Sequence, residues 1–378
     1  MRPSTSPRHS RSEMRTSLCD RLGIEFPIVG FTPSEHVAAA LSRAGGLGVL
    51  GCVRFNDAAE LDAVLTWMDE NTGGKPYGVD IVMPAKIPAE GTQVDLAKLI
   101  PDGHRAFVDR VLAELSVPPL PDDTDERAGV LGWLHSVARS HVEVALKHPI
   151  KLIANALGSP PPDVIAQCHE AGIPVAALAG KAEHAVRHVA NGVDFVVAQG
   201  YEAGGHTGEI ASMVLVPEIV DAVDVPVLAA GGIGSGRQVA AALALGASGV
   251  WTGSIWLATE EYLQTMSSSA AMQQALVAAT SSVTVRTRIY TGKPARLLKT
   301  RWTEAWAAPD APEPLPMPLQ NLLVSPAHNR IHAADDPSVV AMPVGQIVGR
   351  MDRVRPVGEI VRELVEGYQE AVARLKDS

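Results

Sequence analysis

From about residue 24 onward, short runs of apolar residues alternate with longer stretches in which apolar positions recur at helical spacing. The runs at 25–30, 46–51, 77–83, 151–157, 174–179, 194–200, 225–231 and 249–253 are the strand candidates. Most are nearly continuous in apolar residues, as expected of strands covered on both faces. Between them, 34–44, 58–70, 161–171, 182–191, 213–223 and 235–245 have helical spacing. Proline or Gly/Ser residues stand near several of the helix starts, and Gly172, Gly192 and Gly246 stand where helices should stop.

Eight strand candidates joined by helical crossovers allow a closed barrel or an open doubly wound sheet. The count of eight favours an α/β fold of the (β/α)8 TIM-barrel type. Two segments break the rhythm. Residues 84–148 hold no clear strand, only the helical patterns 104–115 and 128–147 with the turn-rich VPPLPDDTDE between them. Residues 265–342 include TRIYTGKPARLLKTRW and the proline-rich APDAPEPLPMPLQ. The expected organisation is a disordered tail over 1–14, a barrel from 15–84, 149–264 and 343–378, and an α-rich lid from 85–148 and 265–342. An insert after the third strand would lie over the strand C-terminal ends, where barrel active sites are built. Residues 356–376 predict a last amphipathic helix packed back on the barrel.

Length and composition agree with this. The 378 residues suit one barrel with insertions, and 46% are apolar while only 4% are aromatic, which fits layers packed through small side chains. A net charge of −10 argues against nucleic-acid and anionic-membrane partners. Cys19, Cys52 and Cys168 lie far apart with no CxxC spacing, so they read as free thiols in a reducing cytoplasm. No apolar run is long enough to span a membrane, and the polar N-terminus has no secretory core. Other constellations point to bland roles. His184 and His188 read as a solvated helix face, the acidic run 122–126 as a solvated turn, Cys52 as a buried thiol, and Arg286, Arg288, Lys293 and Arg296 as a solvated surface.

The chemistry concentrates late in the chain. Gly231 and Gly232 end one strand, and Trp251, Thr252, Gly253 and Ser254 end the next. Glycines there let backbone N–H groups approach an anion, as in phosphate clamps after the seventh and eighth barrel strands. The spacing of Gly232, Gly234 and Gly236 is not that of a dinucleotide fingerprint. After the sixth strand, Gln199 is followed by YEAGGHTG, in which Gly204, Gly205 and Gly208 surround His206. That backbone can lie against a planar ring, Gln199 can offer an amide to its edge, and the imidazole suits proton transfer.

AQGYEAGGHTGEI together with AAGGIGSGRQVAAALALGASGVWTGS resembles the nitronate monooxygenase family, once called 2-nitropropane dioxygenases. Flavin-dependent enoyl-ACP reductases and related NADH:quinone reductases share the architecture. The resemblance implies FMN on a barrel with a smaller lid. Gln199 and Gly204, backed by Gly205, would contact the isoalloxazine; Gly232 with Trp251–Ser254, beside Gly231, would hold the phosphate; His206 matches the active-site histidine. Gly30, Phe31 and Thr32 fall where the family has an Ala-Pro-Met type strand end against the flavin. Asp80 falls where it usually has Asn. An ionised Asp80 would disfavour an anionic reduced flavin, or it would sit further away in a solvent shell. The expected activity is oxidation of an alkyl nitronate with O2. The alternative is NAD(P)H-dependent reduction of an enoyl thioester or quinone, and outside catalysis a flavin- or phosphate-binding barrel without turnover. The expected partner is a small-molecule substrate; a homodimer is an open option for assembly, and no metal is expected.

Overall fold

The computed structural model describes residues 14–83, 96–120, 135–265 and 268–377. Of the proposed 1–14 tail only Met14 is described, and it is buried in the core; the acidic run 122–126 and residues 84–95 lie outside the described residues. Helix α1 (Ser17–Leu22) precedes strand β1 (Ile28–Thr32), and then strand and helix alternate: α2 (Glu35–Arg43), β2 (Leu47–Gly51), α3 (Ala58–Asn71) and β3 (Tyr77–Asp80). Helices α4 (Asp102–Glu114) and α5 (His135–Ala145) interrupt the alternation before β4 (Ile153–Asn155), α6 (Pro162–Glu170), β5 (Val175–Ala179), α7 (Ala182–Ala190) and β6 (Phe195–Gln199). After the two-residue strand β7 (Gly205–His206) come α8 (Ser212–Ala222), β8 (Val227–Ala230), α9 (Gly236–Ala244) and β9 (Gly249–Thr252). The remainder is α10 (Ala270–Ala278), β10 (Thr284–Thr287), β11 (Ala295–Leu298), α11 (Arg301–Ala305), α12 (Leu319–Ala334) and α13 (Val357–Lys376).

The eight long strands pair in parallel in the order β1-β2-β3-β4-β5-β6-β8-β9, and β9 closes on β1. This is the (β/α)8 barrel that the count of eight predicts. The lumen is filled by alternate residues of the strands, among them Val29, Val49, Ala154, Ala176, Phe195, Val197, Leu228 and Trp251. Leu18, Cys19 and Leu22 of α1 join that cluster. They plug the barrel at the strand N-terminal end, where Arg21 lies 4.4 Å over the Phe195 ring. The C-terminal end is the one left for chemistry.

Helix ends follow local signals. Gly172, Gly192 and Gly246 all have positive φ, the left-handed stop that glycine adopts without penalty. The barrel strands are shorter than their apolar runs, and at β1 and β4 the reason is local. Glu25 and Phe26 both donate to the Gly45 carbonyl and Pro27 has no N–H, so β1 begins only at Ile28. In β4 the Asn155 side chain pairs with both backbone groups of Met83, which ends the ladder there.

The segment 265–342 is more ordered than its prolines suggest. Strands β10 and β11 form a hairpin-like antiparallel pair, and β11 pairs with β7, so this small sheet grips the loop after β6. Helix α12 continues through Pro326. A separate apolar cluster joins Phe107, Val111 and Leu112 of α4 to Trp302, Trp306, Leu323 and Ile331. Helix α4 of the first insert and the second insert therefore share a core beside the barrel, whereas α5, predicted as part of the lid, packs with α3 in the barrel's outer layer. Helix α13 returns to the barrel against α9, so closely that a Cβ on Gly236 would fall 2.1 Å from the Tyr368 amide.

Candidate functional site

The loop after β6 is held from three directions. Gly200 donates to the Ala230 carbonyl at 2.9 Å. The Glu202 carboxylate accepts from both the amide and the hydroxyl of Ser212 at 3.0 Å, and that hydroxyl also lies 3.2 Å from the carbonyls of Ala230 and Gly231. Buried Arg296 donates twice to the Tyr201 carbonyl and stacks 4.4 Å over the Tyr201 ring. Arg286 donates to both the hydroxyl and the carbonyl of Thr207 at 3.2 Å. These arginines are not the solvated surface that sequence suggests: their forks are spent on loop oxygens, which fixes the backbone that carries Gly204 to His206.

At the strand C-terminal end lies a cavity of about 470 Å³. It brings together Phe31, Gln199, Gly204, Gly205, Gly231, Gly232, Trp251, Thr252, Gly253 and Ser254 from four separate strand ends. Gly205, Gly231 and Gly232 have φ of +73°, +103° and +69°, so they fit the left-handed backbone these turns require. At Gly205 a Cβ would meet nothing within 4 Å, and at Gly253 only the Phe31 carbonyl at 4.0 Å. Its left-handed φ accounts for Gly205; at Gly253 neither φ nor protein packing requires glycine, and the space beside it is open to a ligand. Such a floor, with two glycine turns and the Gln199 amide at its rim, fits a flat ring system carrying a phosphate.

Gly30, Thr32, Asp80 and His206 are not among the lining residues. Gly30 faces the helix layer, where a Cβ would meet Leu41 at 2.2 Å and Trp256 at 2.6 Å. Thr32 uses its hydroxyl to accept from Ser34. Asp80 points into the barrel lumen, since its neighbours Tyr77 and Val79 belong to an outer cluster. Its carboxyl is buried and pushed up to about 7 by burial, which a hydrogen bond from Ala156 only partly offsets. His206 follows the cavity-lining Gly205, and its Nε2 lies 2.6 Å from the Thr291 hydroxyl. Burial, with the nearby Lys293 ammonium adding to it, pushes the imidazole down to about 4. The ring is therefore neutral at physiological pH.

The far wall belongs to the second insert, with Met272, Tyr290, His328 and Ile331. The rings of Tyr290 and His328 stack at 5.3 Å and 19°, and burial pushes His328 down to about 4. Sequence reasoning misses this wall. Tyr290 lies in the TRIYTGKPAR segment already singled out, but His328 carries no motif. Elsewhere, His188 is not a solvated histidine: it is buried, bonded to Ser159 at 2.7 Å and to the Leu178 carbonyl at 3.1 Å. Cys52 is buried with its thiol pushed up by burial, and all three cysteines are free. Among the described residues no three His, Cys, Asp or Glu side chains are grouped to hold a metal, and no helix is long and apolar enough to cross a membrane.

Comparison with known proteins agrees with this geometry. The profile of the family described as nitronate monooxygenase matches residues 15–367. A Mycobacterium tuberculosis protein named "Putative monooxygenase" is 51% identical over 377 residues, covering 96% of this chain and 99% of its own. A solved nitroalkane oxidase from Streptomyces ansochromogenes superposes with a TM-score of 0.78 at 29% identity, covering 95% of this chain and 100% of its own. FabK from Thermotoga maritima gives a TM-score of 0.73 at 27% identity, with 96% and 99% covered.

Proposed function

This chain belongs to the nitronate monooxygenase family, and from that premise we propose that it is an FMN-dependent oxidoreductase that oxidises alkyl nitronates with O2. The observation that carries the reading is the glycine floor. Gly205 and Gly253 border the cavity with open space where side chains would project, and the Gly231–Gly232 and Trp251–Ser254 turns converge on the same end. FMN bound there would supply the electron acceptor for substrate oxidation. Gln199 and Gly204 would hold the ring system, and the two turns its phosphate. Ser254 is braced for this, its hydroxyl accepting from the Gly345 amide at 2.9 Å.

His206 does the proton work in this reading. A neutral imidazole can accept the α-proton of a nitroalkane or donate to a nitronate oxygen, and the Thr291 hydroxyl fixes its orientation. Segment 265–342, packed against α4 of the first insert, serves as the lid and contributes Tyr290 and His328 to the substrate side. A second reading is NAD(P)H-dependent reduction of an enoyl thioester or quinone, favoured by the similarity to FabK. Anaerobic titration of the flavin-loaded protein separates the two. Bleaching by an alkyl nitronate but not by NAD(P)H is the expected result; rapid bleaching by NAD(P)H alone selects the reductase. Protein that stays colourless after reconstitution with FMN rules out both.

A further inference from the structure

The barrel encloses one carboxyl group for which the mechanism above has no use. Asp80 ends β3 between Gly51 of β2 and Ala154 of β4. It is 2% exposed. Strand alternation turns it into the lumen, the same side from which Phe31, Gln199 and Trp251 reach the cavity floor. One carboxyl oxygen has no hydrogen-bond partner in the structure. Among the described residues, the bond that favours its charged form comes from the Ala156 amide. The neighbouring ionisable group on the β2 side is the buried Cys52 thiol, and the Arg54 guanidinium beyond it, which lines the cavity, pairs through one nitrogen with Glu35 at 2.6 Å. On the β4 side the Asn155 amide is spent on Met83. An anionic carboxylate so enclosed would lack both a counter-ion and most of its hydrogen bonds, which is the costly state for a buried charge.

We propose that Asp80 carries its proton below neutrality as a carboxylic acid enclosed in the lumen beneath the flavin site, and that the charge it gains as pH rises acts on the ligand above from there. The step involves no bond to carbon and no redox change: the proton stays on the oxygen that has no protein partner. An enclosed carboxylic acid differs from an amide of the same shape in one respect. It can lose its proton, and the charge left behind would disfavour a reduced, anionic ligand above it. The burial-driven rise to about 7 places that loss near neutrality. This inference rests on the flavin reading for what lies above the lumen, but the protonation itself does not.

The test therefore has two arms. Infrared difference spectra of the apoprotein, recorded from about pH 5 to about pH 9 in H2O and D2O, should contain a protonated-carboxyl C=O band that disappears as pH rises and is absent in Asp80→Asn. Absence of that band in folded wild-type apoprotein overturns the proposal, whether or not flavin binds. In the FMN-loaded protein, the flavin midpoint potential of wild type and Asp80→Asn should coincide near pH 5. Above about pH 7 the wild-type value should fall below that of the variant. Parallel potentials across the whole range would place the proton away from the flavin and overturn the second half of the proposal. Failure of the wild-type protein to bind FMN would instead refute the functional reading, while the apoprotein band still decides the charge of Asp80. Because Asn is nearly isosteric with Asp, loss of folding in the variant is not expected, and the pH titration of the wild-type band needs no variant at all.

Discussion

His206 owes its charge state to its surroundings: an ordinary imidazole titrates near neutrality, but this one is pushed down to about 4 by burial and the Lys293 ammonium. It should stay neutral throughout the range in which the enzyme works, so the pH–rate profile should have no acid limb near 6.5 that belongs to this residue. Replacing His206→Gln should lower kcat/KM for a neutral nitroalkane by about 10²–10⁴-fold, with FMN affinity unchanged in an equilibrium titration. Loss of FMN affinity with kcat intact would assign the ring to binding instead. Asp80 shifts in the opposite sense, and the consequence for stability has a definite sign. Its folded-state carboxyl keeps a proton up to about pH 7, whereas an unfolded chain releases it near pH 4. Unfolding thus releases a proton between those values, and rising pH favours unfolding across that window. Denaturant melts of Asp80→Asn and wild type should be equally stable near pH 4. The variant should gain, by on the order of a few kcal/mol, as pH approaches 7, and the gap should stay flat beyond. A gap that grows toward acid would reverse the assignment.

At the scale of elements, two glycines with similar sequence settings should behave in opposite ways. Gly236 opens α9 where α13 crosses it, and a Cβ there would strike backbone atoms of Gly367 and Tyr368. Gly236→Ala should destabilise the protein by roughly 1–3 kcal/mol, read from its thermal or denaturant midpoint, by forcing the two helices apart. Gly253 follows β9 and has room for a Cβ, so Gly253→Ala should melt like wild type yet bind FMN at least about tenfold more weakly, because the methyl occupies ligand space. If Gly253→Ala binds FMN normally, the floor is not where the phosphate lies. The loop between β6 and α8 is the third element of the site. Its backbone is held by Arg286 and Arg296 from the β10–β11 sheet, which ties the cavity-lining glycines to the second insert rather than to the barrel alone.

The whole molecule is a plugged barrel with a second core leaning over its open end. The cavity draws one wall from β1, β6, β8 and β9 and the other from α10, α12 and the strand-flanking Tyr290. A ligand that touches both walls stabilises them together. Saturating FMN at about 100 times its Kd should therefore raise the unfolding free energy by about 2.7 kcal/mol, read as a rise in the melting midpoint of the apoprotein. A midpoint indifferent to FMN would mean that the cavity takes something else. Disruption of the insert core, for example by Trp302→Ala, should cost about 3–5 kcal/mol, because this ring is fully buried between α4 and α12.

The chain by itself determined the barrel. Its eight apolar runs and the helices between them follow from covering strands on both faces, a requirement written in consecutive residues. The glycine turns at Gly231–Gly232 and Trp251–Ser254 and the loop at Gly204–His206 were legible for the same reason, since each is a local run whose backbone needs are visible in its own composition. What only the tertiary structure decided depends on residues far apart in the chain. Whether Gly30 serves the cavity or the helix layer is a matter of strand parity, and one residue of register sent it to Trp256 and Leu41. The apparently solvated Arg286, Arg296 and His188 found partners more than 70 positions away or across a helix–strand packing that no periodicity announces. His328 came to the cavity only because a proline-interrupted helix lies over it. Asp80 is the clearest case: the residue type names an ordinary carboxylate, and burial in the lumen pushes it up to about 7.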